Sequence, residues 1–382
     1  MLETIPLFGV LFDCNEAVQA QIFYEQVRTY MVTSLLLSAF IAASAPVSDL
    51  QRDETLLFYP AVVSCHPAKE CRISVSGRVF EQETDDLLRN LFIKKLITEM
   101  KLSLADQRSK IFKTRVRDFL TDNEGGKKIR INMGGSLYFL GESGPDGHFS
   151  KRLSLPKYFC PKVSSKSAVR RYRALLNKED PRRITGTIYC IPEKGISVIS
   201  DIDDTIKISH VLDKEKMLSA AFLEPFRAVP LMARRYRGWQ RRGAVFHYVS
   251  GSPWQLYSTL RRFMKKRNFP PGEFKLKSFR IKDRSFFSFI MGDQRAYKME
   301  AISSIIKRFP KRRYVLVGDS GESDTEVFAE ISARFPRRVK AVYIRDAGNL
   351  KERKKALMNI FRGLSGVRFR FFTTGRQLPV KV

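Results

Sequence analysis

The chain has 382 residues and a formal net charge of +30, with 43% hydrophobic and 12% aromatic residues. This composition excludes an intrinsically disordered chain and supplies enough apolar side chains for a large core, which we expect to be divided between two domains. The excess of lysine and arginine predicts attraction to polyanions, namely nucleic acids, anionic lipid surfaces or phosphorylated substrates, and does not choose among them.

The first part of the chain resembles an export signal. Residues 31–45 form an apolar run that ends in Ala43-Ser44-Ala45 before Pro46, as at a signal cleavage site. The run is short for a membrane-spanning helix, and Arg28 is the one basic residue before it. We interpret residues 1–50 as a signal-like or anchor segment of an exported (periplasmic or secreted) or membrane-associated protein. A true start at Met31 and a buried helix are the alternatives.

The cysteines bear on the same question of compartment. No Cys-x-x-Cys pair occurs, which argues against a zinc site. Four cysteines follow residue 45, an even number that is compatible with disulfides in an oxidising compartment, and Cys65 and Cys71 are close enough to bridge across a turn. Buried free thiols are the alternative interpretation. The five cysteines are Cys14, Cys65, Cys71, Cys160 and Cys190.

Residues 54–191 are predicted to form a mainly β accessory domain with a helical insertion. Apolar runs predict strands over 56–63, 128–140, 149–155 and 184–191, and residues 73–79 alternate as in a half-buried strand. Residues 85–101 carry apolar side chains at helical spacing. No catalytic constellation occurs in this region, so a structural role and a role in substrate or surface binding are both open.

A short apolar run, Ile196–Ser200, predicts a buried strand that leads directly into Asp201, Asp203 and Asp204. Unpaired buried charge is costly. Such a cluster therefore holds a metal or lies at the carboxyl edge of a sheet, where ligands bind. An acidic loop that caps the next helix is the alternative interpretation.

Two later strands also end in polar residues. Residues 246–250 end in Ser250, and residues 314–319 end in Asp319, with Asp324 close behind. Lys298 opens a helical stretch between them. Strands and helices alternate beyond Gly195, which predicts a parallel sheet covered on both faces. Residues 253–267 are expected to form one of the helices, with Ser252 as its N-cap.

These pieces resemble a known group of enzymes. The pattern Asp201-x-Asp203-x-Thr205, followed by the other three pieces in order, resembles the motifs of haloacid dehalogenase-like phosphatases. Within that superfamily, the blocks 201–207, 247–254 and 318–324 resemble the catalytic domain of the actin-patch-protein type of phosphatidate phosphatase, over roughly residues 195–346. The resemblance implies an α/β fold with a Rossmann-like parallel sheet. Two residues depart from the family pattern: Leu231 stands where we expect glycine, and Thr325 stands where we expect proline.

The resemblance also implies roles for individual residues. Asp201 would be the nucleophile that forms an aspartyl-phosphate, and Asp203 would be the general acid and base. Mg²⁺ would be held by Asp201, a backbone oxygen of Asp203, Asp319 and Asp324. We interpret Asp204 as a solvated cap, with support of the neighbouring site residues as its alternative role, and His247, inside a strand, as structural. The phosphate would be bound by Thr205, Ser250, Gly251 and Lys298, with the amides of Gly251 and Ser252 at a helix start. A residue that simply begins a helix is the alternative interpretation of Thr205.

The implied reaction is Mg²⁺-dependent hydrolysis of phosphatidate to diacylglycerol and phosphate. Phosphatidate or another anionic phospholipid, and therefore a membrane surface, is the expected partner; nucleic acid is a partner that we favour less. A phosphatase for a soluble or nucleic-acid phosphomonoester is one alternative. A non-catalytic polyanion-binding protein is another.

Residues 347–382 are interpreted as a basic C-terminal tail. Residues 351–364 have the spacing of an amphipathic helix, and residues 367–372 alternate basic and aromatic side chains over most of their length. Such a segment suits an anionic membrane surface. A basic face that its phenylalanines attach to the preceding domain is the alternative.

Overall fold

A computed structural model of the chain describes residues 24–29, 46–64, 71–82, 86–156, 159, 168–278, 292, 294–348, 350–364 and 366–382. The chain divides into two compact units, Met1–Val47 and Ser48–Val382. In the first unit residues 24–29 are helical, and the signal-like run 31–45 lies outside the described residues. None of the described helices combines the length and the apolar character that crossing a bilayer requires.

Two β-sheets share one core in the N-terminal part of the second unit. In the first sheet, β3 (Cys71–Gln82) pairs antiparallel with β1 (Thr55–Phe58), β4 (Thr121–Asn123) and β7 (His148–Leu155). The second sheet has the order β2-β9-β8-β5-β6. It is formed by β2 (Ala61–Ser64), β5 (Lys128–Met133), β6 (Ser136–Glu142), β8 (Ala168–Ala174) and β9 (Thr185–Ile191).

The sequence predicted most of these strands but missed β4 and β8. The runs 56–63 and 128–140 each form two strands, because residues 59–60 interrupt the first and a turn at residues 134–135 interrupts the second. The cysteines of this region favour the disulfide alternative, since Cys71 and Cys190 are both buried and both disulfide-bonded. The predicted bridging partner Cys65 lies outside the described residues.

A helical insertion follows β3. It consists of α1 (Asp86–Met100), which confirms the predicted helix, α2 (Leu104–Arg108) and α3 (Lys110–Phe119). Ser103 and Asp106 form a capping box at the start of α2, and the Ser109 hydroxyl accepts a hydrogen bond from the first turn of α3. The apolar face of the insertion joins the core of the sheet that follows, through residues that include Phe92, Leu96, Phe112, Val116 and Phe119.

The rest of the unit is built on a six-stranded sheet with the order β14-β13-β10-β15-β16-β17. All its strand pairs are parallel, so the predicted parallel sheet is confirmed. Numbered along the chain, the order is 3-2-1-4-5-6, which is that of a doubly wound α/β sheet. The strands are β10 (Gly195–Ser200), β13 (Val245–Pro253), β14 (Gly272–Lys277), β15 (Arg312–Asp319), β16 (Val339–Arg345) and β17 (Arg368–Phe372).

Helices contribute to the hydrophobic core on both faces of this sheet. The α5 (Met232–Arg241) and α6 (Tyr257–Lys266) helices share one core cluster with the sheet, and α7 (Arg295–Arg308) and α8 (Asp324–Arg334) share the other. The predicted helix 253–267 begins later than expected, because β13 continues to Pro253 and a 3₁₀ turn, Trp254–Leu256, precedes α6. Ser252 is therefore not an N-cap.

A small antiparallel pair, β11 (Lys207–Ile208) with β12 (Arg227–Ala228), lies between β10 and α5, and α4 (Lys214–Phe222) connects its two strands.

The segment 347–382, which we expected as a basic tail, contributes to the fold. It contains α9 (Leu350–Phe361), and β17 pairs with β16 as the outer strand of the parallel sheet. Phe372 at the end of β17 is only 2% exposed. The Trp239 indole Nε1 donates a hydrogen bond of 2.8 Å to the carbonyl oxygen of Pro379. The alternation of basic and aromatic side chains is thus the two-residue period of a strand, in which Phe369 and Phe371 pack on one face of the sheet and Phe372 packs on the other.

Candidate active site

The candidate site lies at the carboxyl edge of the parallel sheet, beyond the neighbouring strands β13, β10 and β15. Residues 198, 246 and 315 are in register across the three strands, so Asp201, Ser250 and Asp319 meet at one edge. This edge is also the topological switch point, where the chain leaves β10 for strands on either side and ligands of such sheets bind.

Three buried carboxylates meet there. Asp201, Asp319 and Asp324 each offer an oxygen within 4.8 Å of the other two. The Asp319 Oδ1 accepts hydrogen bonds from the backbone N–H groups of Gly321 (2.6 Å) and Glu322 (3.1 Å), which fixes the carboxylate. Among the described residues, no hydrogen bond reaches Oδ2 of Asp201 or Oδ2 of Asp319.

The electrostatics of this cluster favour a cation. Burial raises the pKa of Asp201, against the charge of Lys298, and the neighbouring carboxylates raise it further. Burial and the charges of Asp324 and Glu322 likewise raise the pKa of Asp319. Buried carboxylate oxygens without a donor are costly, and hard oxygen ligands in this number suit a divalent ion. The cluster therefore fits a metal site.

Lys298 is the positive charge at the centre of the site. Its Nζ lies 3.1 Å from Oδ1 of Asp201, 2.7 Å from Oε2 of Glu322 and 2.6 Å from Oδ1 of Asp324. Burial alone would lower the pKa of this amine, but the surrounding carboxylates raise it well above its ordinary value. Lys298 is therefore held as a cation, beside the carboxylate of Asp201.

Asp203 is bound by four donors. Its Oδ1 lies 2.6 Å from Nζ of Lys207 and accepts a 2.8 Å hydrogen bond from the Ser209 hydroxyl. Its Oδ2 accepts hydrogen bonds from the hydroxyls of Ser250 (2.9 Å) and Ser252 (2.7 Å). Burial acts to raise the pKa of Asp203, but Lys207 and the hydroxyl donors outweigh it and leave the pKa far below its ordinary value. In this arrangement Asp203 is ionised.

The loop after Val249 brings hydroxyl groups to this edge. The Ser252 N–H donates a 2.9 Å hydrogen bond to the Ser250 hydroxyl, so the loop folds back on itself. We expected the amides of Gly251 and Ser252 at a helix start, but both residues belong to the continuation of β13. A Cβ at position 251 would overlap the side-chain amide of Gln294, which would have to move aside.

Two buried oxygens beside this loop lack a partner. In the described part of the chain, neither Oε1 of Gln294 nor Oγ1 of Thr205 takes part in a hydrogen bond. Thr205 lies in a turn and does not begin a helix. Buried polar atoms are normally satisfied, so both are candidates for contact with a bound group.

The expectation that Asp204 is a solvated cap is wrong. Its side chain is buried, and its carboxylate accepts hydrogen bonds from the N–H groups of Ser209 (2.9 Å) and Val211 (2.7 Å). Its φ of +48° lies in the left-handed region, where aspartate is tolerated better than most residues. Asp204 thus shapes the loop that brings Lys207 and Ser209 to Asp203.

His247 has the structural surroundings that its position in a strand indicated. It is buried, with Nδ1 2.6 Å from Oε1 of Glu273 and Nε2 3.1 Å from Oγ of Ser197. Burial lowers the pKa of His247, against the attraction of Glu273. The Ser197 hydroxyl also accepts a hydrogen bond from Nε of Arg312.

The predicted site residues thus assemble in two groups. Asp201, Lys298, Asp319 and Asp324 form the carboxylate cluster, while Asp203 and Ser250 are joined by a hydrogen bond beside it. Gly251 has no side chain, and the Thr205 side chain makes no hydrogen bond to either group within the described residues. The sequence did not predict that Lys207, Glu322 or the hydroxyl of Ser252 would contact these groups, although all three residues lie inside the motif blocks.

Comparison with known proteins assigns this region to a family. Residues 196–346 match the family model described as phosphatidate phosphatase APP1, catalytic domain. The protein named phosphatidate phosphatase APP1 of Saccharomyces cerevisiae is 36% identical over 176 residues, which cover 44% of this chain and 29% of that protein. An uncharacterized protein of Schizosaccharomyces pombe is 33% identical over 160 residues, covering 41% of this chain and 26% of that protein.

The chain therefore spans less than a third of the length of either relative. The matched region contains β10, β13, β15 and the whole carboxylate cluster. Residues 196–346, less than half of the chain, are similar to the catalytic domain of phosphatidate phosphatase APP1.

Proposed function

We propose that this protein is a Mg²⁺-dependent phosphatase of the haloacid dehalogenase-like class that hydrolyses phosphatidate to diacylglycerol and phosphate. The observation that carries the reaction class is the meeting of Asp201, Asp319 and Asp324 around the Lys298 cation, with Asp203 beside them. Phosphatidate as the substrate is supported by the name of the yeast relative and by the family description.

In the first half of the reaction, an oxygen of Asp201 attacks phosphorus and the bond from phosphorus to the glycerol oxygen breaks. Asp203 gives its proton to that oxygen, which leaves as the hydroxyl of diacylglycerol. Lys298 orients Asp201 and offsets the negative charge of the phosphoryl group. Hydroxyl donors from Ser250 and Thr205, and the amide of Gly251, bind the phosphate oxygens.

In the second half, Asp203 takes a proton from water, and the water oxygen attacks the aspartyl-phosphate. The bond from phosphorus to Asp201 breaks, and phosphate leaves. In the resting arrangement Asp203 is already ionised, because its pKa is low, and the ionised form is the one that can take a proton from water. Acting as an acid requires that its contacts with Lys207 or the serine hydroxyls loosen when the substrate binds, because each of them favours the ionised form.

The carboxylates of Asp201, Asp319 and Asp324 and a backbone oxygen of Asp203 would hold the Mg²⁺. When bound, the ion supplies positive charge that reduces repulsion between the nucleophile and the phosphate. The two buried carboxylate oxygens that accept no hydrogen bond among the described residues support this proposal.

The test is phosphate release from phosphatidate vesicles and from soluble phosphomonoesters, with and without Mg²⁺. We expect Mg²⁺-dependent release from phosphatidate, and we expect Asp201→Asn to lower turnover by at least about 10³-fold, because the nucleophile is lost. The matched control is Asp213→Asn, since Asp213 caps α4 outside the cluster and asparagine caps a helix equally well. Equal activity of Asp201→Asn and the wild type would refute the nucleophile, and activity confined to soluble esters would refute the lipid substrate.

An oxidising compartment is the proposed location. The disulfide bonds at Cys71 and Cys190 support it, since such bonds persist in oxidising surroundings. Intact mass measured before and after reduction of protein purified from its own cell would test this, and identical masses under both conditions would contradict it.

A further inference from the structure

The helical insertion carries a basic groove. A cavity of about 860 Å³ opens between α1, α2, α3 and the end of β3. No acidic side chain lines it in the described part of the chain, and none of its basic side chains forms an ion pair within that part. The basic side chains that line it are Arg89, Arg108, Lys110, Lys113 and Arg117, all exposed.

Apolar side chains form the inner surface of the same groove and extend beyond it. Phe112, Val116 and Leu120 are buried at its base. Leu104, one helical turn before Arg108 in α2, is 69% exposed, although leucines in helices normally face a core. A basic surface with an apolar base and an exposed leucine has the composition of helices that lie at a membrane interface.

This surface is joined to the candidate active site by direct contacts. The Arg115 side chain in α3 donates a 3.0 Å hydrogen bond to the carbonyl oxygen of Ala221 and lies 4.0 Å from the ring centroid of Phe226. The same ring is 4.7 Å from Nζ of Lys207, which pairs with Asp203. The groove and the catalytic carboxylates therefore belong to one continuously packed body.

The C-terminal segment is a weaker candidate for membrane contact. Its aromatic side chains take part in the fold, since Phe372 is buried and Phe369 stacks on Phe361 with 4.1 Å between ring centroids. Nucleic acid would use basic residues with exposed aromatic stacking surfaces or phosphate contacts alone, and would leave the exposed Leu104 and the apolar base of the groove without a role. The combination of charge and aliphatic surface favours a lipid bilayer.

We propose that the insertion surface, defined by the five basic residues of the groove with Leu104, docks the protein on bilayers that contain anionic phospholipid. The proposal of docking depends only on this surface. The role of docking, which is to present a lipid phosphate to the neighbouring catalytic edge, rests on the proposed function.

The test is co-sedimentation with vesicles of phosphatidylcholine alone and of phosphatidylcholine mixed with phosphatidylglycerol. We expect the wild type to bind the mixed vesicles in a salt-sensitive manner. Lys113→Glu with Arg117→Glu should weaken this binding by about tenfold or more, because basic side chains near an anionic bilayer act together. Leu104→Ser should weaken binding in a less salt-sensitive manner.

The matched controls lie on α9, which carries exposed side chains of the same types. Lys354→Glu with Lys355→Glu makes the same change in net charge, and Met358→Ser removes an apolar side chain that is 51% exposed. Both should bind as the wild type does. The proposal is overturned if the wild type fails to bind, if the insertion variants bind normally, or if the α9 variants lose as much. It is also overturned if the insertion variants lose binding to duplex DNA and keep normal binding to the mixed vesicles.

Activity separates this proposal from the proposed function. The insertion variants should retain full hydrolysis of a short-chain phosphatidate that dissolves as monomers, and lose hydrolysis of vesicle phosphatidate. A wild type that binds vesicles through the insertion surface but hydrolyses neither substrate would refute the proposed function and leave docking intact. Circular dichroism melting curves of all variants should match the wild type.

Discussion

Lys207 sets the protonation state of Asp203. The two side chains form a mostly buried ion pair, and Lys207 together with the hydroxyl donors outweighs the effect of burial on the carboxyl pKa. Phe226 covers the lysine from the other side, with Nζ 4.7 Å from the ring centroid. The side chain is therefore fixed where it stabilises the ionised carboxylate.

Replacing Lys207 by methionine should raise the pKa of Asp203, because the cation that favours the ionised form is removed. In the proposed mechanism Asp203 acts as an acid only in the enzyme–substrate complex, so kcat falls as the pH rises through the pKa of Asp203 in that complex. The alkaline limb of the pH profile of kcat should therefore move to higher pH by about one unit or more.

Lys207→Arg keeps the charge and is the control, so its alkaline limb should stay near that of the wild type. An unshifted limb in Lys207→Met, or a shift toward lower pH, would show that the ion pair does not control the acid. Equal melting temperatures of the two variants would exclude a folding effect.

At the level of single residues, the site residues that directly follow a strand could be predicted from the sequence. The site residues that a loop positions could not. Asp201, Ser250 and Asp319 were predictable because parallel strands bring their carboxyl ends to one edge. Lys207 and Ser252 reach Asp203 only because Asp204 and the extension of β13 bend the intervening chain. No periodicity in the sequence encodes those bends.

Among the secondary-structure elements, the start of α5 is strained. Leu231 precedes this helix with φ +61° and ψ +1°, in the left-handed region, and makes no side-chain cap. Its side chain is 46% exposed, so packing contributes little to offset the strain. This is the position where the family pattern led us to expect glycine, which adopts such a conformation without a Cβ clash.

Leu231→Gly should therefore be more stable than Leu231→Ala by about 1 kcal/mol, because the two variants lose the same exposed side chain and only glycine relieves the strain. Urea unfolding followed by circular dichroism would measure the difference in free energy of unfolding. A glycine variant less stable than the alanine variant would show that the position is not strained.

Strand β17 shows that one sequence pattern can indicate two different structures. The alternation of basic and aromatic residues over 367–372 suits a membrane surface, yet it is equally the period of a strand at a sheet edge. The choice between them depends on whether β16 leaves an open edge, which is a tertiary property. The helices α1 and α7 were predictable because their apolar spacing is local.

At the scale of the whole molecule, the proposed metal site couples to folding. Its ligands come from β10, β15 and α8, which meet only when the parallel sheet is complete. An ion that binds only the folded chain stabilises it by mass action. Without the ion, three buried carboxylates repel one another.

We expect Mg²⁺ to raise the melting temperature, corresponding to about 2.7 kcal/mol at a concentration one hundred times Kd. The rise should shrink as the pH falls, because burial raises the pKa of Asp201 and Asp319 and a protonated carboxyl cannot hold the ion. Scanning calorimetry with and without Mg²⁺ measures both effects.

Asp319→Asn should abolish the rise and should melt above the wild type when Mg²⁺ is absent, since one repelling charge is removed. The same Mg²⁺ response in this variant and in the wild type would place the ion elsewhere.

The strand order also determines when in its synthesis a new chain acquires the site. Because β10 pairs with β15, Asp201 leaves the ribosome long before the strand that must bring Asp319 beside it. A nascent polypeptide therefore holds the proposed nucleophile without Asp319 and Asp324, the other carboxylates of the proposed metal site. Under the proposed function, lipid breakdown starts only after translation has passed β15 and α8, which protects the membranes near the ribosome from the unfinished enzyme.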